Sequence, residues 1–395
     1  MSSLLVTNSQ DYTYCLSQVK DKNTQPFSIE SGYFIFTMMP SLRCSLNCPH
    51  CYLSLEQRRN SEIMKIKDLE IACQKVDAYY QKTSIKNKLI IFYWYGGEPT
   101  EMGIDYFKDC HQVIGDIFTK EKGYTIKHTV LTSLLTVDTK VWFPFFRDYC
   151  DNHFQSSFDG LMRGKVYVRK WEEKIKEAKD FGLNVGTISV VNQELLKVGA
   201  KETLSYLANL KIKEVSFLPF MWNEQNDGKA YNKYAPTMEA WSSFMKEASE
   251  HYFSCKEQNI FIPEIGQLSF VMHQKEQPSM ANIAAQTLFL LPNGDFVLPD
   301  YKNGYQEYMR VFGNILSHSF EDVLNSKERK SYLRKQVLRD NNQECLECDH
   351  SDKCVMEFWK KNKENDDCFG GKKYITWLVD HTENKKIKYN NLVTY

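Results

Sequence analysis

The 395-residue chain lacks any surplus of charge: 50 basic residues face 50 acidic ones. That balance removes the bulk electrostatic case for a nucleic-acid partner. It also lacks an apolar run near the ~20 residues that a membrane helix requires, so no membrane partner is expected. The N-terminal MSSLLVTNSQDYTYC has no basic region followed by a long apolar stretch, and no signal peptide is expected. Internal repeats and low-complexity tracts are missing too. What remains is a chain with 14% aromatic residues, long enough for two or three structural units with a sizeable core.

Cysteine is not scarce. The twelve thiols, in a chain expected to be cytoplasmic, read as metal ligands before disulfides. Cys15, Cys73, Cys110, Cys150 and Cys255 are scattered and read as small buried residues. The others form two groups. Cys44, Cys48 and Cys51 make a C-x3-C-x2-C array, and Cys345, Cys348, Cys354 and Cys368 make C-x2-C-x5-C-x13-C. Thiolates suit iron–sulfur clusters or zinc. In the first group three thiolates would leave one iron of a [4Fe–4S] cluster open to a ligand. Zinc would need His50 as a fourth donor in an awkward place. Plain buried cysteines are the third possibility.

Between the two groups the pattern alternates. Strands are predicted over Gly32–Met39, Lys88–Tyr95, Tyr124–Thr132, His153–Phe158, Asn184–Val191 and Glu214–Leu218. Helices are predicted over Lys67–Gln81, Asp105–Thr119, Asp138–Tyr149, Tyr167–Phe181 and Glu194–Leu210. Such alternation argues an α/β fold with a parallel sheet. The polar stretch Asn223–Tyr234 then marks a boundary, followed by a long helix over Thr237–Gln258. Pro292-Asn293-Gly294 reads as a hairpin turn. The organisation expected is an extension at 1–30, a barrel at 31–222, a linker and bridging helix at 223–285, and a second module at 286–395.

Polar residues gather at the predicted strand ends, where α/β barrels place their sites. The second strand ends in Gly96-Gly97-Glu98-Pro99: glycines permit close backbone approach, and a carboxylate can accept from an ammonium group. A plain turn is the alternative. The third ends in Thr132-Ser133, the fourth in Ser157-Phe158-Asp159-Gly160, and the fifth in Val190-Val191-Asn192. Arg169 follows the fourth, with Arg163 competing for the same role.

C-x3-C-x2-C, with Tyr52 behind it and these motifs in order after it, resembles the radical S-adenosylmethionine (radical SAM) enzymes. The likeness covers about Tyr33 to Gly371. It implies a partial (β/α)6 TIM-like barrel in which Cys44, Cys48 and Cys51 hold a [4Fe–4S] cluster whose open iron binds SAM. Glu98, with Gly96 and Gly97, takes the SAM amino group, and Tyr52, Ser133, Ser157, Asp159, Arg169 and Asn192 are further SAM-contact candidates. The chemistry implied is reductive cleavage of SAM, which yields a 5′-deoxyadenosyl radical able to take a hydrogen atom from the substrate.

The second cysteine group, behind Phe312-Gly-Asn-Ile315, resembles the SPASM extension of radical SAM maturases, which usually holds two auxiliary clusters. Pro299 stands where one cysteine is expected and Phe358 where another is. The resemblance therefore implies one auxiliary [4Fe–4S] cluster, on Cys345, Cys348, Cys354 and Cys368, with a structural zinc site as the alternative. Asp300 falls where anaerobic sulfatase maturases carry a catalytic Asp, and a turn residue is the alternative. The function implied is a peptide maturase that crosslinks or oxidises side chains of a ribosomal precursor. The partners implied are a peptide or protein substrate and an electron donor such as flavodoxin or ferredoxin. A formylglycine-making sulfatase maturase is the runner-up, and an inactive iron–sulfur or zinc scaffold the alternative of another class. No precursor-recognition domain is expected, since only about thirty residues precede the barrel, too few for a core.

Overall fold

The computed structural model describes residues 33–220, 229–254, 287–299, 309–333, 347–350, 366–368 and 370–384, with 260, 262, 265 and 344. Six parallel strands run in chain order: β1 (Tyr33–Met38), β2 (Lys88–Trp94), β3 (Tyr124–Thr132), β4 (His153–Ser157), β5 (Asn184–Val190) and β6 (Glu214–Leu218). Helices fill the crossovers: α1 (Leu55–Arg59) and α2 (Ile66–Gln81), then α3 (Ile104–Ile117), α4 (Thr139–Tyr149), α5 (Lys165–Asp180), α6 (Gln193–Val198) and α7 (Ala200–Asn209). The expected partial (β/α)6 barrel is therefore present.

β1 and β2 read as nearly continuous apolar runs because both faces are covered, while β3 and β4 carry more polar residues. Successive side chains alternate between the faces. Ile35, Ile91, Tyr93, Leu131 and Ile188 form a cluster of their own inside the barrel. Phe34, Phe36, Phe92 and Trp94 join the larger core under the helices. There Phe36 stacks on Phe92 with ring centroids 5.1 Å apart.

The helix expected over 194–210 is two helices. Gly199, at φ +88°, ends α6 and begins α7. The carboxylate of Glu247 accepts from the N–H groups of Ala200 and Lys201, at 2.9 and 3.3 Å, and caps the second piece. Glu247 belongs to α9 (Met238–Ser254), which follows α8 (Lys229–Tyr234).

The barrel sheet does not stop at β1. β7 (Thr287–Leu290) pairs with β1 in parallel, and β8 (Asp295–Pro299) and β9 (Met309–Asn314) add an antiparallel meander. The result is one nine-stranded sheet, in the order β6-β5-β4-β3-β2-β1-β7-β8-β9. The expected hairpin is β7–β8; β9 was not foreseen as a strand. Helices α10 (Phe320–Asn325), α11 (Lys327–Leu333) and α12 (Lys372–Asn384) complete this side.

Candidate active site

The three-cysteine loop leaves the C-terminal end of β1 and is stitched to its surroundings through its backbone. Met39 N–H donates to Leu290 O on β7 (2.9 Å), and Tyr95 N–H donates to Met38 O (2.7 Å). Beyond β2, Gly97 N–H donates to Ser41 O (3.3 Å) and Glu98 N–H to Arg43 O (2.9 Å). A Cβ on Gly97 would lie 2.0 Å from Arg43 O, and one on Gly96, at φ +112°, 2.5 Å from Ser41 O. The close approach that sequence alone assigned to a ligand is thus made to the cysteine loop itself. Tyr52 reinforces the contact: its hydroxyl donates to Gly96 O (3.1 Å), and its ring stacks on Tyr95 at 6.0 Å.

Cys44, Cys48 and Cys51 are free thiols, partly exposed. Burial raises all three pKa values, Cys44 to about 12 and Cys51 to about 11. Three such thiols become thiolates together when a bound cation compensates their charge, which is the donor chemistry of an iron–sulfur cluster. His50, the extra donor a zinc site would need, has Nε2 3.5 Å from Asp159 Oδ2. Burial, opposed by that carboxylate, lowers its pKa to about 4. Among the described residues no three His, Cys, Asp or Glu side chains gather to hold a single metal ion.

Glu98 is almost fully buried and its carboxylate is saturated. Oε1 accepts from the hydroxyls of Thr100 and Thr132, both at 2.7 Å, and from Thr100 N–H at 3.4 Å, and Oε2 accepts from Ser133 N–H (2.8 Å) and Oγ (2.6 Å). Two oxygens offer about four acceptor sites, so every site is used within the chain. Glu98 therefore ties the end of β2 to the end of β3, and Ser133 is one of its partners.

Asp159 is likewise enclosed at the end of β4. Oδ2 is 2.5 Å from Arg163 Nε, and Oδ1 accepts from Val190 N–H at 2.7 Å. Burial works against its charge, but the Arg163 guanidinium, His50 and the Val190 amide outweigh it and hold the carboxyl below its usual range. Arg163 also lies over the Tyr167 ring, 5.0 Å from the centroid, and Tyr167 hydroxyl donates to Ser157 O (2.7 Å). Asn192 caps α6, accepting from Glu194 and Leu195 N–H and donating to Asp159 O at 3.0 Å.

The two arginines that compete after the fourth strand, Arg169 and Arg163, are placed differently. Arg169 projects from α5 with 70% of its side chain exposed and lies 3.9 Å from Glu173. Arg163 is the enclosed one of the two, its side chain 8% exposed and paired with Asp159. Counting along the motif could not separate them, because Gly164, at φ +91°, starts α5 between the two and turns its outer face to water.

Of the second cysteine group, Cys348 and Cys368 are described, while Cys345, Cys354 and Asp300 lie outside the described residues. Cys368 Sγ accepts from Lys372 N–H, the first residue of α12, at 3.2 Å. The preceding aspartates dock this segment on α9. Asp366 accepts from Met238 and Glu239 N–H, and Asp367 from Ser242 Oγ at 2.7 Å.

Comparison with known proteins agrees with this geometry. Residues 282–349 match SPASM, an iron–sulfur cluster-binding domain. No curated protein matches the sequence. Among solved structures the chain is similar to native anSMEcpe, an anaerobic sulfatase maturase, with bound AdoMet and Cp18Cys peptide. The TM-score is 0.70 at 16% identity, over 91% of this chain and 99% of that one. It is also similar to Streptococcus suis SuiB bound to precursor peptide SuiA, with a TM-score of 0.57 at 15% identity, over 87% and 74%. No helix among the described residues is long and apolar enough to cross a membrane. The SPASM match and the shared fold bear out the resemblance carried by the strand-end motifs: this chain has the architecture of the radical SAM enzymes with a SPASM domain.

Proposed function

We propose that the chain is a radical SAM peptide maturase that crosslinks or oxidises side chains of a ribosomal precursor. The observation that carries the reading is the packing of Gly96-Gly97-Glu98 onto the three-cysteine loop at the mouth of a six-stranded barrel. Cys44, Cys48 and Cys51 would hold a [4Fe–4S] cluster, and a cluster with SAM supplies a 5′-deoxyadenosyl radical for hydrogen-atom abstraction. The chain's own part is placement and exclusion of water. SAM contacts are placed at Tyr52, Glu98 with the Gly96 and Gly97 backbone, Ser133, Ser157, Asp159 and Asn192, with Arg163, the enclosed cation beside Asp159, preferred to Arg169. Glu98, Asp159 and Asn192 also fix the strand ends through bonds within the chain. Cys345, Cys348, Cys354 and Cys368 would hold one closed auxiliary [4Fe–4S] cluster that passes electrons from a donor such as flavodoxin or ferredoxin.

The test is anaerobic reconstitution, then 5′-deoxyadenosine formation with dithionite and SAM. About eight irons per chain are expected, falling to about four in the Cys44/Cys48/Cys51→Ala variant. An intact cluster that forms no 5′-deoxyadenosine refutes the enzyme reading.

A sulfatase maturase is the second reading, favoured by coverage of 99% of the anSMEcpe chain against 74% of SuiB. In it Asp300 would act as the base. Mass spectrometry of cysteine-containing peptides separates the two. Conversion of a thiol-bearing side chain to an aldehyde supports the second; loss of two hydrogens with sulfur retained supports the first. In the second reading Asp300→Asn stops product while SAM cleavage continues.

A further inference from the structure

We infer that Glu101 is a positioning residue for the three-cysteine loop, a latch that holds the Ser45 backbone on one side of Cys44 and the Arg43 guanidinium on the other. The inference rests on the proposed role of that loop as a cluster site. Glu101 lies in the short 3-10 turn Pro99–Met102, and its own N–H donates to Glu98 O at 3.0 Å. Its Oε1 accepts from Ser45 N–H (3.0 Å) and Ser45 Oγ (2.5 Å). Its Oε2 lies 3.9 Å from Arg43 Nε. One carboxylate therefore reaches both neighbours of Cys44, while Glu98 N–H holds Arg43 O from the same turn.

The other thiols do not depend on this contact. Cys51 N–H donates to Cys48 O at 3.1 Å, so Cys48 and Cys51 share a self-closed turn. Cys44 stands upstream of that turn and takes its place from outside. On one side Arg58 O accepts from Cys44 N–H (3.0 Å), and Arg58 Nη1 donates to Leu46 O (2.6 Å). On the other side stands Glu101, whose side chain is only 13% exposed. Without the Glu101 contacts, Cys44 would keep its tie to α1 but lose the side-chain tie to the end of β2. Its sulfur would no longer be held in register with the other two, and a cluster needs all three at once.

The test compares Glu101→Ala with Glu101→Gln. In the metal-free chain, hydrogen exchange is followed for the segment 43–52. Glu101→Ala is expected to speed exchange at the Ser45 amide about tenfold, the effect of losing one charge-assisted hydrogen bond. Glu101→Gln keeps an oxygen facing that N–H and should stay near wild type. In the reconstituted chain, a chelator should strip the loop cluster about tenfold faster from Glu101→Ala, with the auxiliary cluster unchanged as an internal reference. Equal exchange and equal iron loss in Glu101→Ala and wild type overturn the latch. So does a Glu101→Gln variant as impaired as Glu101→Ala, which would assign the effect to charge. If wild type takes up no loop cluster but Glu101→Ala still exchanges faster, the proposed function falls and the latch stands.

Discussion

Replacing Glu98 by alanine removes the acceptor for five donors at once, and replacing it by glutamine removes its charge and turns one oxygen into an NH2. The structure sets the two costs apart. In the glutamine variant the amide can turn so that its oxygen faces Ser133 N–H and Oγ. Its NH2 then donates to the hydroxyls of Thr100 and Thr132, which can accept as well as donate. What is lost is the charge assistance, about 1–2 kcal/mol, together with the long bond from Thr100 N–H (3.4 Å), which then faces the NH2. In the alanine variant the hydroxyls can turn elsewhere, but the Ser133 and Thr100 N–H groups cannot, and a buried unsatisfied donor costs about 1–3 kcal/mol. With the cavity left by the side chain, the loss comes to about 3–5 kcal/mol, a large share of a domain's stability. Urea unfolding of the metal-free chain, followed through the buried Trp94 and Trp171, measures both. A double-mutant cycle with Ser133→Ala should return a coupling of about 1–2 kcal/mol. If Glu98→Ala costs no more than Glu98→Gln, the carboxylate does not brace the strand ends and the reasoning fails.

Arg163→Met leaves Asp159 buried without its cation and should destabilise by about 3–5 kcal/mol, whereas Arg169→Met, at an exposed pair, should stay within about 0.5 kcal/mol; equal midpoints for the two would contradict the placement. Burial lowers His111 to about 4 and His128 well below its usual value. The unfolded chain therefore binds these protons first. The stability at stake is whole above about pH 6.5 and is lost as pH falls toward 4, about 2 kcal/mol by pH 5 for His111 alone. His111→Leu should flatten the pH dependence of the urea midpoint; an unchanged slope would rule the imidazole out. Gly97→Ala drives a methyl into Arg43 O and should cut iron uptake by the loop, while Gly115→Ala, in α3 with nothing within 4 Å, should stabilise by about 0.5–1 kcal/mol in the same denaturation assay.

The barrel was legible because short runs of β-branched, aromatic and aliphatic residues alternate with stretches of helical periodicity. β3 and β6 begin and end where that pattern does, at Tyr124–Thr132 and Glu214–Leu218. Helix boundaries were less so: the break at Gly199 depends on Glu247, 48 residues away, reaching in to cap α7. The strand-end motifs were legible as residue types but not as contacts. Glu98 reads as an acceptor for an ammonium group, but its five internal donors at the ends of β2 and β3 carry no sequence signal. Arg163 and Arg169 are equivalent on paper, and only the start of α5 at Lys165 decides which one turns inward. Glu101 carried no sequence signal beyond its place after Gly-Gly-Glu-Pro, and β9 escaped because its residues alternate poorly, with Val311 exposed and Phe312 buried beside a glycine.

The seating of β1 between β2 and β7 bears on how the chain is made. Thr37 and Thr287 touch through their hydroxyls at 3.1 Å although 250 residues separate them. During synthesis β1 emerges some 250 residues before β7, and the edge that β7 will cover stays bare until then. The strand that presents Cys44, Cys48 and Cys51 is thus flanked on both sides only once the ribosome has passed residue 290. Cutting the chain before β7, to trade one C-terminal module for another, would leave that strand an open edge rather than free an independent barrel.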